Sequence, residues 1–596
     1  MDANTTLVHV THEIVGKIGG IGAVLDGFFT CPSYLNAVSR SILVGPLFST
    51  EGDVSERLGE DGEVLYSSVD GFTNTGYASA FRHIEDFFNA GIVYGRRTFI
   101  DKKTGIKSSP EVLLVDVRYI DDRAINEFKR ALFNEFGIRS DLYENLWEYE
   151  QYVRLAPVAI AALKAIGAGN DSTTIVSHEF MGMPTALAAI LDFDCNFKTV
   201  FYAHEVATMR RIVEKHPGHD TMFYNAIRGA HEKNLYVNDV FGNQDHYFKH
   251  ALVEASKNCD TICAVGDYVV DELRFLAPQF NNGKVDIVYN GIPAYQIGID
   301  EKIESREKLR QYCQNLLGYK PDFVFTHVTR LVQSKGLWRD LRVLEHLESQ
   351  FQTQDRTAVM FLLSTEVASR RSQDIHRIEN EYNWPVAHRE GMPDLSGGEA
   401  DFYTALQEFN TKSKNIKVIF INQFGFSRKK CGKRMPADME FMDIRKGSDV
   451  EFGQSIYEPF GIAQLEPLTF GGICVVSNVC GCAGFVKDVL NGNNVKNVII
   501  ADYTQLEGFE HSDIEDILQI GQSVRNTIEN KVSEKVAMQI CSRLAKNDSE
   551  IESMIQVGYS LAKNMSWDMV VKNYLLASLQ KAQQQHQDKQ IPVYEA

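Results

Sequence analysis

Short runs of β-branched and apolar residues, each followed by a stretch with helical spacing, recur along this chain in two sets. In the first half they are Leu7–Val10, Thr174–Ser177, Thr199–Ala203, Thr261–Val265 and Asp286–Tyr289. In the second they are Phe323–Val328, Val359–Leu363, Lys417–Ile421, Ile473–Ser477 and Val498–Ala501. Apolar strands without polar alternation must be covered on both faces, which calls for parallel sheets with helices on either side. The expected fold class is therefore α/β, with two doubly wound Rossmann-like domains facing a cleft. A chain of 596 residues exceeds one ordinary core and agrees with that division. Asn290-Gly291-Ile292-Pro293 is a turn signature and marks the break. Open sheets of this kind bind ligands at the carboxyl ends of their strands.

A formal net charge of −18 excludes a general nucleic-acid or acidic-membrane binder, since such partners need a basic footprint. An anionic ligand would need a local basic pocket. The N-terminus has no basic region ahead of a signal-like apolar stretch, and Leu155 to Gly169 is interrupted by Lys164 and too short to span a bilayer. A cytoplasmic protein without membrane helices is expected. The ten cysteines lack zinc-framework spacing and read as reduced thiols, mostly in the core. Residues 366–450 yield only a few helices, and the Gln-rich tail after about Lys581 reads as frayed.

Polar groups cluster after several of these strands. HEIVGKIGGIGAVL sets Lys17 among Gly16, Gly19, Gly20 and Gly22 at the mouth of a helix. Glycines allow close approach of a ligand and the lysine supplies charge, although a structural turn fits as well. SHEFMG and YAHEVATMRR each put a His-Glu pair at a strand end; with no third ligand at HExxH spacing, no metal site is expected. Asp192-Phe193-Asp194 reads as a turn. THVTRLVQSKGLWRDL brings Arg330 and Lys335 between a strand and a helix, where two cations could neutralise a diphosphate. In YEPFGIAQLEPLTFGG, Glu458 falls near a helix N-terminus and Glu466 two turns into that helix, where carboxylates can accept hydrogen bonds from sugar hydroxyls. Taken alone, the two glutamates also fit a solvated pair. SNVCGCAGF places Gly481 and neighbouring amides at another helix N-terminus, open to a phosphate.

The order of Lys17, Arg330 with Lys335, and Glu458 with Glu466 across two such domains resembles the retaining GT-B glycosyltransferases, in particular the glycogen and starch synthase family. The EIVGKIGG opening, SHEFMG, HEVATMR and DTMFYNAIRGAHEKNLYVNDVFG are similar to the animal and fungal type. The resemblance implies domains over 1–296 and 297–565, with 566–596 as a last helix crossing back plus a polar tail. It implies that Lys17, Arg210, Arg330 and Lys335 surround the donor phosphates, with Gly19, Gly20, Tyr457 and the Gly481 amide on the donor side. His204 would lie beside the transferring sugar, Glu179 near the acceptor glucan, Glu458 at the donor's sugar hydroxyls and Glu466 at its ribose. The implied reaction transfers glucose from UDP-glucose or ADP-glucose to an α-1,4-glucan, with no further cofactor and no metal. Its partners would be the nucleotide-sugar donor and the α-glucan acceptor, with homo-oligomer formation left open. The late helix EKVAMQICSRLAKNDSE lacks an Arg cluster, so activation by a sugar phosphate is not expected. Two alternatives stay open: a GT-B enzyme acting on a small or cell-envelope acceptor, and a silent nucleotide-sugar-binding subunit.

Overall fold

The predicted apolar runs become parallel strands in the computed structural model, which describes residues 5–16, 19–59, 61–367, 369–506 and 513–590. The chain divides into two compact units. The first takes residues through Met209, then Ala230–Gly291, then the chain from Trp567; the second takes Arg210–Gly229 and Ile292–Ser566. The stretch 210–229 thus packs with the second unit although it lies inside the first in sequence.

In the first unit the strands are β1 (Thr6–Val10), β2 (Arg40–Pro46), β3 (Glu63–Ser67), β4 (Gly91–Arg96), β7 (Glu111–Asp116), β8 (Thr173–His178), β9 (Lys198–Ala203), β10 (Thr261–Ala264) and β11 (Val285–Ile287). A separate two-residue pair joins β5 (Phe99–Ile100) to β6 (Lys107–Ser108). Among the described residues the main sheet runs β11-β10-β9-β8-β1-β2-β7-β4-β3. It is parallel except at one edge, where β4 pairs antiparallel with both β7 and β3. The sequence pattern missed β2, β3, β4 and β7, and glycine is part of the reason: it breaks the β-branched run where strands need close approach. A Cβ on Gly45 would stand 2.2 Å from the Thr11 carbonyl oxygen, and one on Gly95 2.0 Å from that of Glu63.

In the second unit β12 (Phe323–Val328), β13 (Ala358–Leu363), β14 (Ile416–Ile421), β15 (Val450–Gly453), β16 (Ile473–Ser477) and β17 (Val498–Ala501) form a fully parallel sheet of order β14-β13-β12-β15-β16-β17. Both its faces are cores. Ala358, Met360 and Leu362 enter one cluster with Phe325 and Val475, while Val359, Phe361 and Leu363 enter the other with Val324 and Ile419. Successive side chains point to opposite faces, so covering both sides demands an unbroken apolar run.

Two local expectations are corrected. The chain after Lys581 continues the helix Leu576–Gln590, held by His586, which bonds Asn196 and Asp260. Between residues 366 and 450 the few helices expected are Ser372–Tyr382, Gly398–Lys412, Arg428–Cys431 and Phe441–Gly447, beside the predicted strand β14. The helix predicted through Glu466 is a single turn, Ile462–Leu465, followed by a 3-10 segment Glu466–Phe470. Pro467 is the cause, because its ring removes an N–H and crowds the preceding turn.

The last helices dock on the first unit through Trp567. Its indole lies against Gly27 and Gly291: a Cβ would come within 2.2 Å of the ring at Gly27 and 2.5 Å at Gly291. Phe28 meets the same ring edge-on at 5.3 Å. Gly27→Val should therefore cost about 1–3 kcal/mol or more by overpacking, read as a lowered urea midpoint. Gly76→Ala, whose added methyl would meet nothing within 4 Å, should leave that midpoint unchanged.

Candidate active site

In the second unit, β12 ends in a loop carrying Arg330 and a 3-10 turn, Gln333–Lys335, before the helix Leu337–Gln354. Gly336 links turn to helix at φ +61°, a left-handed conformation that favours glycine, and a Cβ there would lie 2.6 Å from the Gln454 carbonyl oxygen. The turn carries the loop that follows β15, since the Ser334 carbonyl accepts the N–H groups of Ile456 at 2.8 Å and Tyr457 at 3.3 Å. Lys335 Nζ donates to Glu458 Oε2, and Gln464 Nε2 reaches the same oxygen at 3.3 Å. Lys335 and Glu458, expected as separate contacts to a donor, are thus partners of each other. Arg330 is exposed, and among the described residues its side chain has no hydrogen bond or ion pair.

Glu466 is tied to the core. Its Oε2 accepts from Arg445 Nε at 2.7 Å, and the same guanidinium meets Glu451 Oε1 at 3.0 Å. Burial opposes charge on Arg445, but Glu451 and Glu466 outweigh it and hold the guanidinium above its ordinary range. Glu466 remains partly exposed, with 29% of its side chain accessible. The Tyr457 ring is buried. Gly481 departs from expectation: its amide donates to the Glu458 carbonyl at 3.1 Å, and that of Cys482 to Phe460 at 2.9 Å. Those first-turn amides are already satisfied by the chain, so Gly481 braces the Glu458 loop rather than offering a free donor.

Arg210, on the helix Ala207–Lys215, is bonded to Glu214 at 3.0 Å. In the first unit, Lys17 lies outside the described residues. Gly19 and Gly20 open the helix Gly20–Phe29, and the anion at its N-terminus is the chain's own: Glu13 Oε2 accepts from Gly19 N–H at 2.7 Å and Gly22 N–H at 2.9 Å.

The His-Glu pairs do stand at strand ends, as predicted. Glu179 follows β8 at φ +60°, a costly conformation for a non-glycine residue that persists only when its surroundings fix it. It is buried, one carboxyl oxygen accepts the Glu205 N–H, and the other has no hydrogen bond among the described residues. Burial, then the charge of Glu205, push its pKa well above the ordinary carboxylate value, which favours the protonated form. His204 follows β9, and burial pulls its pKa down to about 3. Its Nε2 lies 2.8 Å from His178 Nδ1, and His178 Nε2 lies 2.9 Å from His9 Nδ1. Neither His9 nor Tyr34, which bonds His9 Nε2 at 2.8 Å, was singled out from the sequence. The signal was present, since His9 interrupts the otherwise apolar centre of β1.

Glu179 also generates a prediction. The folded state keeps a proton that the unfolded chain releases near 4.5, so stability falls as pH rises through that value towards the raised pKa. The slope contributed is at most about 1.4 kcal/mol per pH unit. Glu179→Gln should flatten the loss of stability with rising pH, measured from urea midpoints between about pH 5 and 8. Parallel curves for the two proteins would contradict a neutral carboxyl.

Residues 434–506 match the family model described as glycosyl transferases group 1. No curated protein matches the chain. Among solved structures, the catalytic domain of starch synthase IV from Arabidopsis thaliana, bound to ADP and acarbose, is 14% identical over 97% of this chain and 100% of its own, with a TM-score of 0.51. A structure described as trehalose-6-phosphate from E. coli bound with UDP-2-fluoro glucose is 11% identical over 97% and 99%, with a TM-score of 0.49. A UDP-forming trehalose-phosphate synthase from Burkholderia xenovorans is 12% identical over 97% and 99%, with a TM-score of 0.47. The chain has the GT-B glycosyltransferase fold, and the part of its second unit that matches the group 1 model includes Glu458, Glu466 and Gly481.

Proposed function

We propose that the chain is a retaining glucosyltransferase that moves glucose from UDP-glucose or ADP-glucose onto the nonreducing end of an α-1,4-glucan. The observation that carries this reading lies in the second unit. There Arg330, exposed and without a side-chain partner among the described residues, precedes the turn whose Lys335 pairs with Glu458 of the group 1 segment.

Breaking the glycosidic bond leaves an oxocarbenium-like sugar and a diphosphate that gathers negative charge. Groups that meet this charge as it develops lower the barrier more than groups that bind donor and transition state alike. Arg330 has no internal anion to satisfy, so its charge is available to the departing diphosphate. Lys335 shares its charge with Glu458 and would divide it with a phosphate once donor binds. That exchange leaves Glu458 an acceptor for the sugar's hydroxyls. Glu466, steadied by Arg445, is assigned to the ribose, and Tyr457 and Gly481 keep the loop in place. In the first unit His204 is assigned to the transferring sugar and Glu179 to the acceptor. Its carboxyl, neutral and strained, can donate a hydrogen bond that a carboxylate could not. The departing diphosphate can take the acceptor's proton, so no protein nucleophile is assigned.

The purified protein, given glycogen with each nucleotide sugar separately, should lengthen the polymer with one of them. Product on glucose or glucose phosphate alone would favour the small-acceptor reading, and no consumption of either donor would leave a binding subunit. Arg330→Ala removes only an exposed, unpaired side chain, so the circular dichroism spectrum and melting point should hold. Turnover should fall by about 10²–10³, the scale of about 2.7–4 kcal/mol for loss of one preorganised contact. Full turnover in this variant would overturn the assignment.

A further inference from the structure

Three imidazoles stand in a row across the first unit's sheet. His9 lies in the middle strand β1, His178 ends the neighbouring β8, and His204 follows β9, the next strand over. The rings are stacked: His9 and His178 centroids lie 5.2 Å apart at 29°, those of His178 and His204 5.1 Å apart at 12°. Nitrogen faces nitrogen along the row, at 2.9 Å from His9 Nδ1 to His178 Nε2 and 2.8 Å from His178 Nδ1 to His204 Nε2. At the far end, His9 Nε2 meets the hydroxyl of Tyr34 at 2.8 Å, and that hydroxyl meets Ser41 Oγ at 3.1 Å. Tyr34, His9 and His178 are buried, whereas His204 is partly exposed.

Burial holds all three rings neutral by pulling their pKa values down: to about 3 for His9 and His204, and well below the ordinary value for His178, where His204 and His9 add a smaller push. A neutral imidazole carries one N–H and one bare nitrogen. Each ring's tautomer is then set by its neighbour, so the row has only two self-consistent directions. Tyr34 selects between them. A phenol is a better donor than an aliphatic hydroxyl, and a bare imidazole nitrogen is a better acceptor than a hydroxyl oxygen. The shorter contact is the one from Tyr34 to His9. Tyr34 therefore donates to His9 Nε2 and Ser41 donates to Tyr34. His9 Nδ1–H then donates to His178 Nε2, and His178 Nδ1–H to His204 Nε2. Such a chain reinforces itself in a dry interior.

We propose that Tyr34, His9 and His178 are positioning residues that lock His204 in its Nδ1–H tautomer, so that it meets the transferring sugar as a hydrogen-bond donor to one of the sugar's oxygens. The role at the sugar rests on the reading of His204 given under Proposed function; the tautomer does not. Among the described residues His204 Nδ1 has no hydrogen-bond partner. Its proton is the output of the relay, and the input is a phenol three residues away along the chain of contacts.

The test separates the two parts. The ligand-free, full-length protein is labelled with 15N-histidine, and long-range nitrogen–proton correlation spectra distinguish Nδ1–H from Nε2–H; His204→Gln identifies the signals of His204. In the unsubstituted protein His204 should be a single Nδ1–H tautomer. Tyr34→Phe removes one oxygen and with it the choice of direction, so His204 should shift to a mixture of tautomers or to Nε2–H. Ser41→Ala leaves Tyr34 donating to His9 and should leave the His204 spectrum unaltered. An Nε2–H His204 in the unsubstituted protein, an unmoved His204 in Tyr34→Phe, or a reversal in Ser41→Ala would each overturn the relay. With donor and glucan, Tyr34→Phe should lower kcat about tenfold with little change in the donor KM, the scale of one oriented hydrogen bond. A mere loss of stability would lower the melting point without moving the tautomer. If the spectra behave as stated while His204→Gln retains full turnover, the relay stands and the placement of His204 at the sugar fails.

Discussion

The carbonyl of Ser334 receives two amides from the loop after β15, and the charged groups of the second unit depend on that contact. Through it the turn bearing Lys335 is fixed against the loop bearing Glu458. Below it Arg339, fully buried, donates to Asp220 at 2.6 and 3.0 Å and to Glu529 at 2.9 Å. Burial opposes the Arg339 charge, and Asp220 and Glu529 outweigh that penalty. A buried guanidinium with two carboxylate partners is costly to break, since either side left alone is an uncompensated charge in a poor dielectric. It therefore suits a rigid base under a turn that has to present cations at a defined place.

The first unit meets a similar requirement with neutral groups. Its strands and their ends carry a carboxyl whose pKa burial pushes up and three imidazoles whose pKa values burial pulls down. Neutral donors and acceptors discriminate by direction of hydrogen bonding, without attracting stray ions. The strain at Glu179 and its orphaned oxygen are the cost of holding such a group ready. Glu13 serves the Gly-rich turn in another way, filling a helix N-terminus that would otherwise draw an anion.

The sequence revealed the second sheet almost completely, because a parallel sheet covered on both faces leaves continuous apolar runs such as Phe323–Val328 and Val359–Leu363. β15 escaped because Glu451 interrupts it, and nothing local shows that the buried Arg445 compensates that carboxylate. The antiparallel edge of the first sheet escaped in part because Gly95 serves close backbone approach to Glu63 rather than packing. Candidate residues were found where chemistry and strand ends coincide, as at Glu179, His204 and Lys335, whereas Glu458 was read from a helix N-terminus. What could not be read was pairing. Lys335 with Glu458 and Arg445 with Glu466 are separated by 123 and 21 positions, and His9 with His178 by 169. Such contacts are created only when strands assemble side by side.

The central claim is group transfer with retention, driven by cations that receive a departing diphosphate. Proton magnetic resonance of the purified protein turning over a nucleotide α-glucose in the presence of a glucan primer tests it most directly. The first bonds formed should be α-linked and should appear in step with free nucleoside diphosphate. A β-linked product, or diphosphate released without any new linkage, would contradict the account.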